Sequence, residues 1–509
     1  MKLELRGITK RFGPLVANDH IDLTVEASQV HALLGENGAG KTTLMNQLYG
    51  LQHPDEGQIL LDGRPVSFSR PADAIAAGIG MVHQHFMLVP VFTVAENVTL
   101  GVEPVHRFAG LLDRRRARRE VHRLSQEYHL DVDPDAIVET LPVGLQQRVE
   151  IIKVLLRRAN LLILDEPTAV LTPGETEELF AIMRSLKASG HSIVFITHKL
   201  KEVQAIADTV TVLRAGRVVG SLPPTAKDEE LASMMVGHSV ELTVSKQPAT
   251  PGEVVLAVDD VVIEGKEGTR AVDGVSFELR AGEILGVAGV QGNGQTELCE
   301  ALMGLRHVGA GSVRVSGRDL TNARTREVLH AGVGYIPEDR QGDGLVGDFT
   351  VAENLVLDTY DRPPYSRAFS LALGTVERSA RKFVAEFDVR AQSADELVRT
   401  LSGGNQQKVI LARELSRPLA LLIASQPTRG LDIGSVEYMH RRIVEERDKG
   451  TAVLIVSSEL DEIYALADRI VVMFEGRIVG VRTPAVSRAE LGLLMAGADT
   501  GTAAGAAAP

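Results

Sequence analysis

The chain has little cysteine, no long apolar run and no excess of positive charge, and each lack closes off a class of protein. With Cys299 alone among 509 residues, no internal disulfide can form. A reducing compartment is the expected setting, with Cys299 itself read as a small buried apolar residue. No stretch approaches the roughly 18 apolar residues of a spanning helix; the best candidate, "GIGMVHQHFMLVPVF", is broken by histidines, Gln84 and Pro90. The opening "MKLELRGITKRFG" alternates strand-like residues with charge and lacks a secretory core, so no export is expected. A membrane, if it matters, must be crossed by other chains. The formal net charge of −13 disfavours nucleic acid as a partner, because phosphate backbones are bound by neutralising them.

What is present is ample chain for large cores. Hydrophobic residues make up 44%, and 48 glycines against 21 prolines suit an α/β protein with many tight turns. Self-comparison organises the chain. "TVAENVTL" at 93–100 recurs as "TVAENLVL" at 350–357, "GRVVG" at 216–220 as "GRIVG" at 476–480, and "LLILDEP" from 161 as "LLIASQP" from 421. Two homologous halves follow. Their offset grows from 254 at the Gly-rich loops (289 against 35) to 260 at the later segments (421 against 161), an insertion best absorbed in a surface loop. We assign residues 1–243 to the first half, 244–253 ("VSKQPATPGE") to a linker without periodicity, 254–497 to the second half and 498–509 to a low-complexity tail expected to be disordered. Runs such as "VHALLG" and "ILGVAG" lead into Gly-rich turns and then helix-like segments, the grammar of a mostly parallel sheet.

"GENGAGKT" at 35–42 matches G-x-x-x-x-G-K-[ST] between an apolar strand and a helix-like segment. Backbone N–H groups of Gly35, Glu36, Asn37, Gly38, Ala39, Gly40 and the following Lys41, Thr42 and Thr43 are placed to converge on phosphate oxygens. Lys41 adds charge and Thr42 can ligate magnesium. The strand "LLILD" ends in Asp165, a second magnesium ligand, and Glu166, placed to orient or deprotonate the attacking water. A further strand, "SIVFIT", ends at His198, whose imidazole could contact the terminal phosphate. Gln84 could touch the metal and Phe12 could stack on a base. Alone, His198, Gln84 and Phe12 would be bland; their arrangement makes them candidates.

"LSGGNQQK" at 401–408 makes a resemblance specific: residues 1–497 resemble the ATPase subunit of an ATP-binding-cassette transporter, which implies two tandem α/β P-loop cassettes, each a mostly parallel sheet with a helical subdomain. In that family each ATP lies between the P-loop of one cassette and the signature segment of the other. The resemblance implies a complete site built from Lys41, Thr42, Gln84, Asp165, Glu166 and His198 with Ser402, Gly403 and Gly404. The other site, at "GVQGNGQT" from Gly289 through Gly294, Gln295 and Thr296, is expected to be degenerate. Gln295 replaces lysine, Glu338, Ser425, Gln426 and Ser458 stand at the other positions, and the facing signature carries Pro142 and Val143 before Gly144. Proline also lacks an N–H to donate. Lys266 stands where the first half has Phe12.

The resemblance implies ATP and Mg²⁺ as cofactors, with two membrane-spanning permease subunits and an extracytoplasmic binding protein or lipoprotein as partners. It also implies a peripheral position at the cytoplasmic face of the inner membrane. Tandem cassettes with "YIPEDR" at 335–340 resemble importers of simple sugars and nucleosides, and "MVHQHFMLVPVFTVAENVTLG" and "ILDEPTAVLTP" look closer to general nucleoside importers. Ribose-type import is the alternative. A soluble tandem cassette acting in translation or repair is a second one, opposed by the brief linker and the acidic charge. The run "DRRRARRE" at 113–120 reads as a solvated helix face.

Overall fold

The computed structural model describes residues 1–83, 86–105, 111–168, 171, 173–237, 244, 246–265, 268–367, 370–495 and 497. The chain divides into two compact units, 1–240 and 241–509.

In the first unit a six-stranded sheet takes its order from chain topology: Arg217–Leu222, Thr209–Arg214, Val30–Leu34, Ser192–Thr197, Leu161–Asp165 and Ile79–Val82. All neighbours pair in parallel except the first two, which form an antiparallel edge. The strands Val30–Leu34, Leu161–Asp165 and Ser192–Thr197 are buried at every residue, which is why they read as mostly apolar runs rather than alternating ones. A second, four-stranded sheet joins Leu15–Val25, Leu3–Phe12, Glu56–Leu61 and Arg64–Val66 through antiparallel pairs. Between the sheets lies the helix Lys41–Leu48, whose Leu44, Met45 and Leu48 belong to the core that also holds Leu5, Ile21, Leu33 and Ile163.

The helical part of this unit packs Val94–Thr99, Arg114–Glu127 and Val143–Leu156 on one another. Thr93 and Glu96 cap the first of them reciprocally, and Thr350 and Glu353 repeat the device in the second unit. The arginine-rich run forms the helix Arg114–Glu127. Ala117, Val121 and Leu124 turn inward, while Arg118 and Arg123 pair with Asp135 and Glu127 on the outside.

The second unit repeats the topology: Val333–Ile336, Leu421–Ser425, Ala452–Ser457, Ile284–Ala288, Arg469–Phe474 and Arg477–Arg482 in one sheet, and Arg270–Arg280, Val254–Glu264, Ala310–Val315 and Arg318–Asp319 in the other. Its helical part includes Val351–Leu355, Leu373–Glu386 and Gly403–Leu415. The segment read as a linker is tied to this unit: Lys246 Nζ donates to Leu466 O, Ala467 O and Asp468 within 2.9 Å, where a cation meets the free carbonyls of a helix end. The buried Arg447 joins Asp468 and Gln247 O. Among the described residues no helix is long and apolar enough to cross a membrane.

Candidate functional site

The central strand Val30–Leu34 of the first unit delivers the chain into the loop 35–40, and the helix Lys41–Leu48 leaves it. The turn demands glycine. Gly40 has φ 99°, and a Cβ there would sit 2.3 Å from Ala17 O; one at Gly35 would meet Leu213 O at 2.4 Å. The carbonyl of Gly40 accepts from Asn18 Nδ2 at 3.1 Å. Asn18 Oδ1 in turn accepts from Gln47 Nε2 at 2.8 Å. Sequence reasoning missed this brace, because Asn18 lies far from the loop in the chain and carries no motif.

Lys41 is 6% exposed, and its Nζ donates to Gly35 O at 2.7 Å and Glu36 O at 2.9 Å. Ala39 is buried, Asn37, Gly38 and Thr42 are exposed, and Thr43 is half-buried. The loop thus offers open backbone and a helix N-terminus around an ammonium group, an arrangement that suits phosphate.

Asp165 ends the strand Leu161–Asp165 and is buried. Burial, reinforced by the charge of Glu166 and opposed by Lys41, raises its carboxyl to about 6. Glu166 takes a left-handed φ of 45°, and its N–H donates to Ile196 O at 3.1 Å, so the strand Ser192–Thr197 fixes the turn. That turn aims the Glu166 carboxylate at His198, whose Nδ1 lies 3.2 Å from Glu166 Oε1. Burial pushes Glu166 up, but the His198 hydrogen bond and the charges of His198, Lys41 and Lys199 outweigh it and leave the net shift downward. The structure therefore brings Lys41, Asp165, Glu166 and His198 to one end of the sheet. Gln84 lies outside the described residues. Phe12, 44% exposed at the end of its strand, has Lys10 Nζ 5.7 Å from its ring centre.

The second unit keeps the frame and changes the groups. Gly294 has φ 96°, and a Cβ there would meet Ala271 O at 2.1 Å. Gln295 lies across Gly289 and donates from Nε2 to Val290 O at 3.2 Å. Gln426 has φ 48°, and its Oε1 accepts from Ser458 N and Oγ, each at 3.3 Å. Ser425 is buried. So is Cys299, whose thiol is pushed up to about 12 by burial, with Ser425 pulling the other way. Lys266 lies outside the described residues.

The two signature segments also differ. Ser402 precedes the helix Gly403–Leu415. A Cβ on Gly404 would come within 2.3 Å of Ser435 Oγ, a close approach that favours glycine, whereas one on Gly403 would meet only the mobile guanidinium end of Arg340, at 2.8 Å. In the first unit Pro142 precedes the helix Val143–Leu156, Val143 is exposed, and a Cβ on Gly144 would meet Glu175 Oε1 at 2.6 Å.

The family model described as ABC transporter matches residues 18–169 and again 272–429, so both units are covered. This chain belongs to the ABC transporter family. It is a tandem-cassette ABC ATPase, and nucleotide is its ligand. It is 48% identical over 98% of both chains to the nucleoside import ATP-binding protein NupA of Lactococcus lactis subsp. cremoris. It is 48% identical over 97% of both chains to the guanosine import ATP-binding protein NupO of Bacillus subtilis. The ribose import ATP-binding protein RbsA 1 of Rubrobacter xylanophilus is 44% identical over 98% of both chains. Among solved structures, an archaeal ribosome recycling factor, aABCE1, crystallised with the ribosomal stalk protein aP1, matches 96% of this ABC ATPase and 92% of that chain with TM-score 0.64. At 18% identity, that likeness concerns the fold alone.

Proposed function

We propose that this ABC ATPase energises the import of nucleosides, hydrolysing ATP at one competent site. The observation that carries the reading is the contrast between two equivalent turns. Glu166 faces His198 at 3.2 Å beside buried Asp165, whereas Gln426 faces Ser458 beside Ser425 in the same backbone frame.

In the first unit the competent site comprises Lys41, Thr42, Gln84, Asp165, Glu166 and His198; Ser402, Gly403 and Gly404 are the signature residues of the second unit. Phe12 is the stacking partner for the base. The residues suit magnesium: Asp165 is a buried carboxyl, raised to about 6, beside a second acid, and a bound cation would offset that negative charge. Asp165, Thr42 and Gln84 would hold it, and when bound it would neutralise charge on the β- and γ-phosphates. Lys41, now donating to two loop carbonyls, supplies positive charge to the same phosphates. Glu166, kept ionised by its His198 partner, orients and accepts a proton from the attacking water. His198 holds that carboxylate in place and senses the terminal phosphate.

Separate membrane subunits, two permeases served by an extracytoplasmic binding protein, would carry the cargo, with this chain at the cytoplasmic face of the membrane. Exposed apolar side chains after Gln84 support such a partner: Met87 and Val91 are 67% and 68% exposed, and Leu111 and Leu112 are exposed as well. Nucleoside cargo rests on the relatives NupA and NupO, and ribose is the second reading, from RbsA 1. ATP hydrolysis by the purified chain tests the catalytic part: loss in Glu166→Gln with ATP binding retained supports it, and undiminished hydrolysis overturns it.

A further inference from the structure

The second Gly-rich loop is not an open cradle. Glu338, two residues past the strand Val333–Ile336, reaches across to it. One carboxylate oxygen accepts from Gln291 Nε2 at 2.9 Å and from Arg429 Nη1. The other accepts from Thr296 Oγ1 at 3.1 Å. Gln291 belongs to the loop itself, and Thr296 to the first turn of the helix Gln295–Leu302. The carboxylate therefore stands at the mouth of the loop, where backbone N–H groups and a helix N-terminus would otherwise receive phosphate oxygens. Thr296 is half-buried, in contrast to the exposed Thr42 of the first unit.

Three further features point the same way. Glu338 is 15% exposed at its side chain and paired to Arg429, which is itself fixed because its carbonyl accepts from Arg340 Nη1 at 3.1 Å. The loop lacks the lysine that could offset a second negative charge; Gln295 donates to its own loop, at Val290 O. A triphosphate arriving here would meet a fixed carboxylate and no loop ammonium group, and like charges a few ångströms apart in a partly desolvated site repel strongly.

We propose that Glu338 is an internal latch, a carboxylate that takes the place of a nucleotide phosphate on Gln291, Thr296 and Arg429 and keeps the second unit free of ATP. This rests on the single-site reading above and sharpens it: the second unit fails to bind, and does not merely fail to hydrolyse.

Equilibrium dialysis of the full chain with radiolabelled ATP and Mg²⁺ tests the latch, with correct folding of each variant followed by circular dichroism. The parent should bind one ATP per chain and Lys41→Ala none. In the Lys41→Ala background, which shows none, Glu338→Ala should create a new ATP site, at least tenfold weaker than that of the parent. Glu338→Gln, which keeps the shape and removes the charge, should fall between. Two ATP per parent chain, no gain in Glu338→Ala, or a loss of binding in Glu338→Ala that marks Glu338 as a metal ligand would each overturn the latch. One ATP retained in Lys41→Ala alone would instead overturn the assignment of the first site, so the two failures are distinguishable.

Discussion

His198 Nδ1 lies 3.2 Å from Glu166 Oε1, and the corresponding pair in the second unit, Ser458 Oγ and Gln426 Oε1, lies at 3.3 Å. The spacing has survived where the chemistry has not. In both units a residue with left-handed φ, 45° at Glu166 and 48° at Gln426, turns the side chain back toward the end of the adjacent strand. An acid with a histidine can accept a proton; an amide with a serine cannot.

Glu166→Gln should retain ATP binding and lose hydrolysis by about 100-fold or more, the usual range for removing a general base. A steady-state phosphate-release assay beside a binding isotherm checks this. A parallel loss of binding would mean that the carboxylate serves in nucleotide affinity instead.

Gln426→Glu should leave turnover per chain unchanged. The acid would arrive beside Ser425 and opposite Ser458, with Gln295 in the loop and Glu338 on Thr296, so neither metal nor phosphate gains a partner. A phosphate-release assay that doubled per chain would show that the second frame needs only its base.

Gly40→Ala should abolish ATP binding and lower stability. The added Cβ would lie 2.3 Å from Ala17 O on a backbone at φ 99°, a conformation that costs a non-glycine residue on the order of 1–3 kcal/mol. Gly38→Ala meets open space at φ 81° and should carry the backbone strain without the clash, so its thermal shift should be the smaller of the two.

His31 gives the first unit an acid sensitivity. Its ring is buried, with Nε2 on Thr211 Oγ1 at 2.9 Å, and burial drops it from 6.5 to about 4. Between those values the unfolded chain binds a proton that the folded chain refuses. Stability should therefore be full above pH 6.5 and decline as pH falls toward 4, by up to about 3 kcal/mol. Urea midpoints from pH 7 to 4.5 should fall less steeply for His31→Gln, which can still hydrogen-bond Thr211 but does not titrate.

The fold was largely legible because its signals are local. "LLILD" and "LLIAS" are continuous apolar runs since each strand is buried on both faces, and the Gly-rich loops announce themselves because only glycine fits at Gly40 and Gly294. The repeat doubled every such signal. What the sequence concealed is made by pairs remote in the chain. Glu338 meets Arg429 across 91 positions, and Asn18 braces Gly40 across 22. Lys246, in a segment without periodicity, finds three acceptors at the end of a helix more than 200 positions on. Comparing the copies would have flagged Arg429, which stands where the first half has Ala169. Nothing in composition marks Asn18 or Lys246.

The most direct test of the account is uptake of labelled adenosine, uridine and ribose by cells lacking this chain, with the intact chain or Glu166→Gln added back. The account predicts that the intact chain restores nucleoside uptake and that Glu166→Gln restores none. Restoration of ribose uptake alone, or equal rescue by Glu166→Gln, would contradict it.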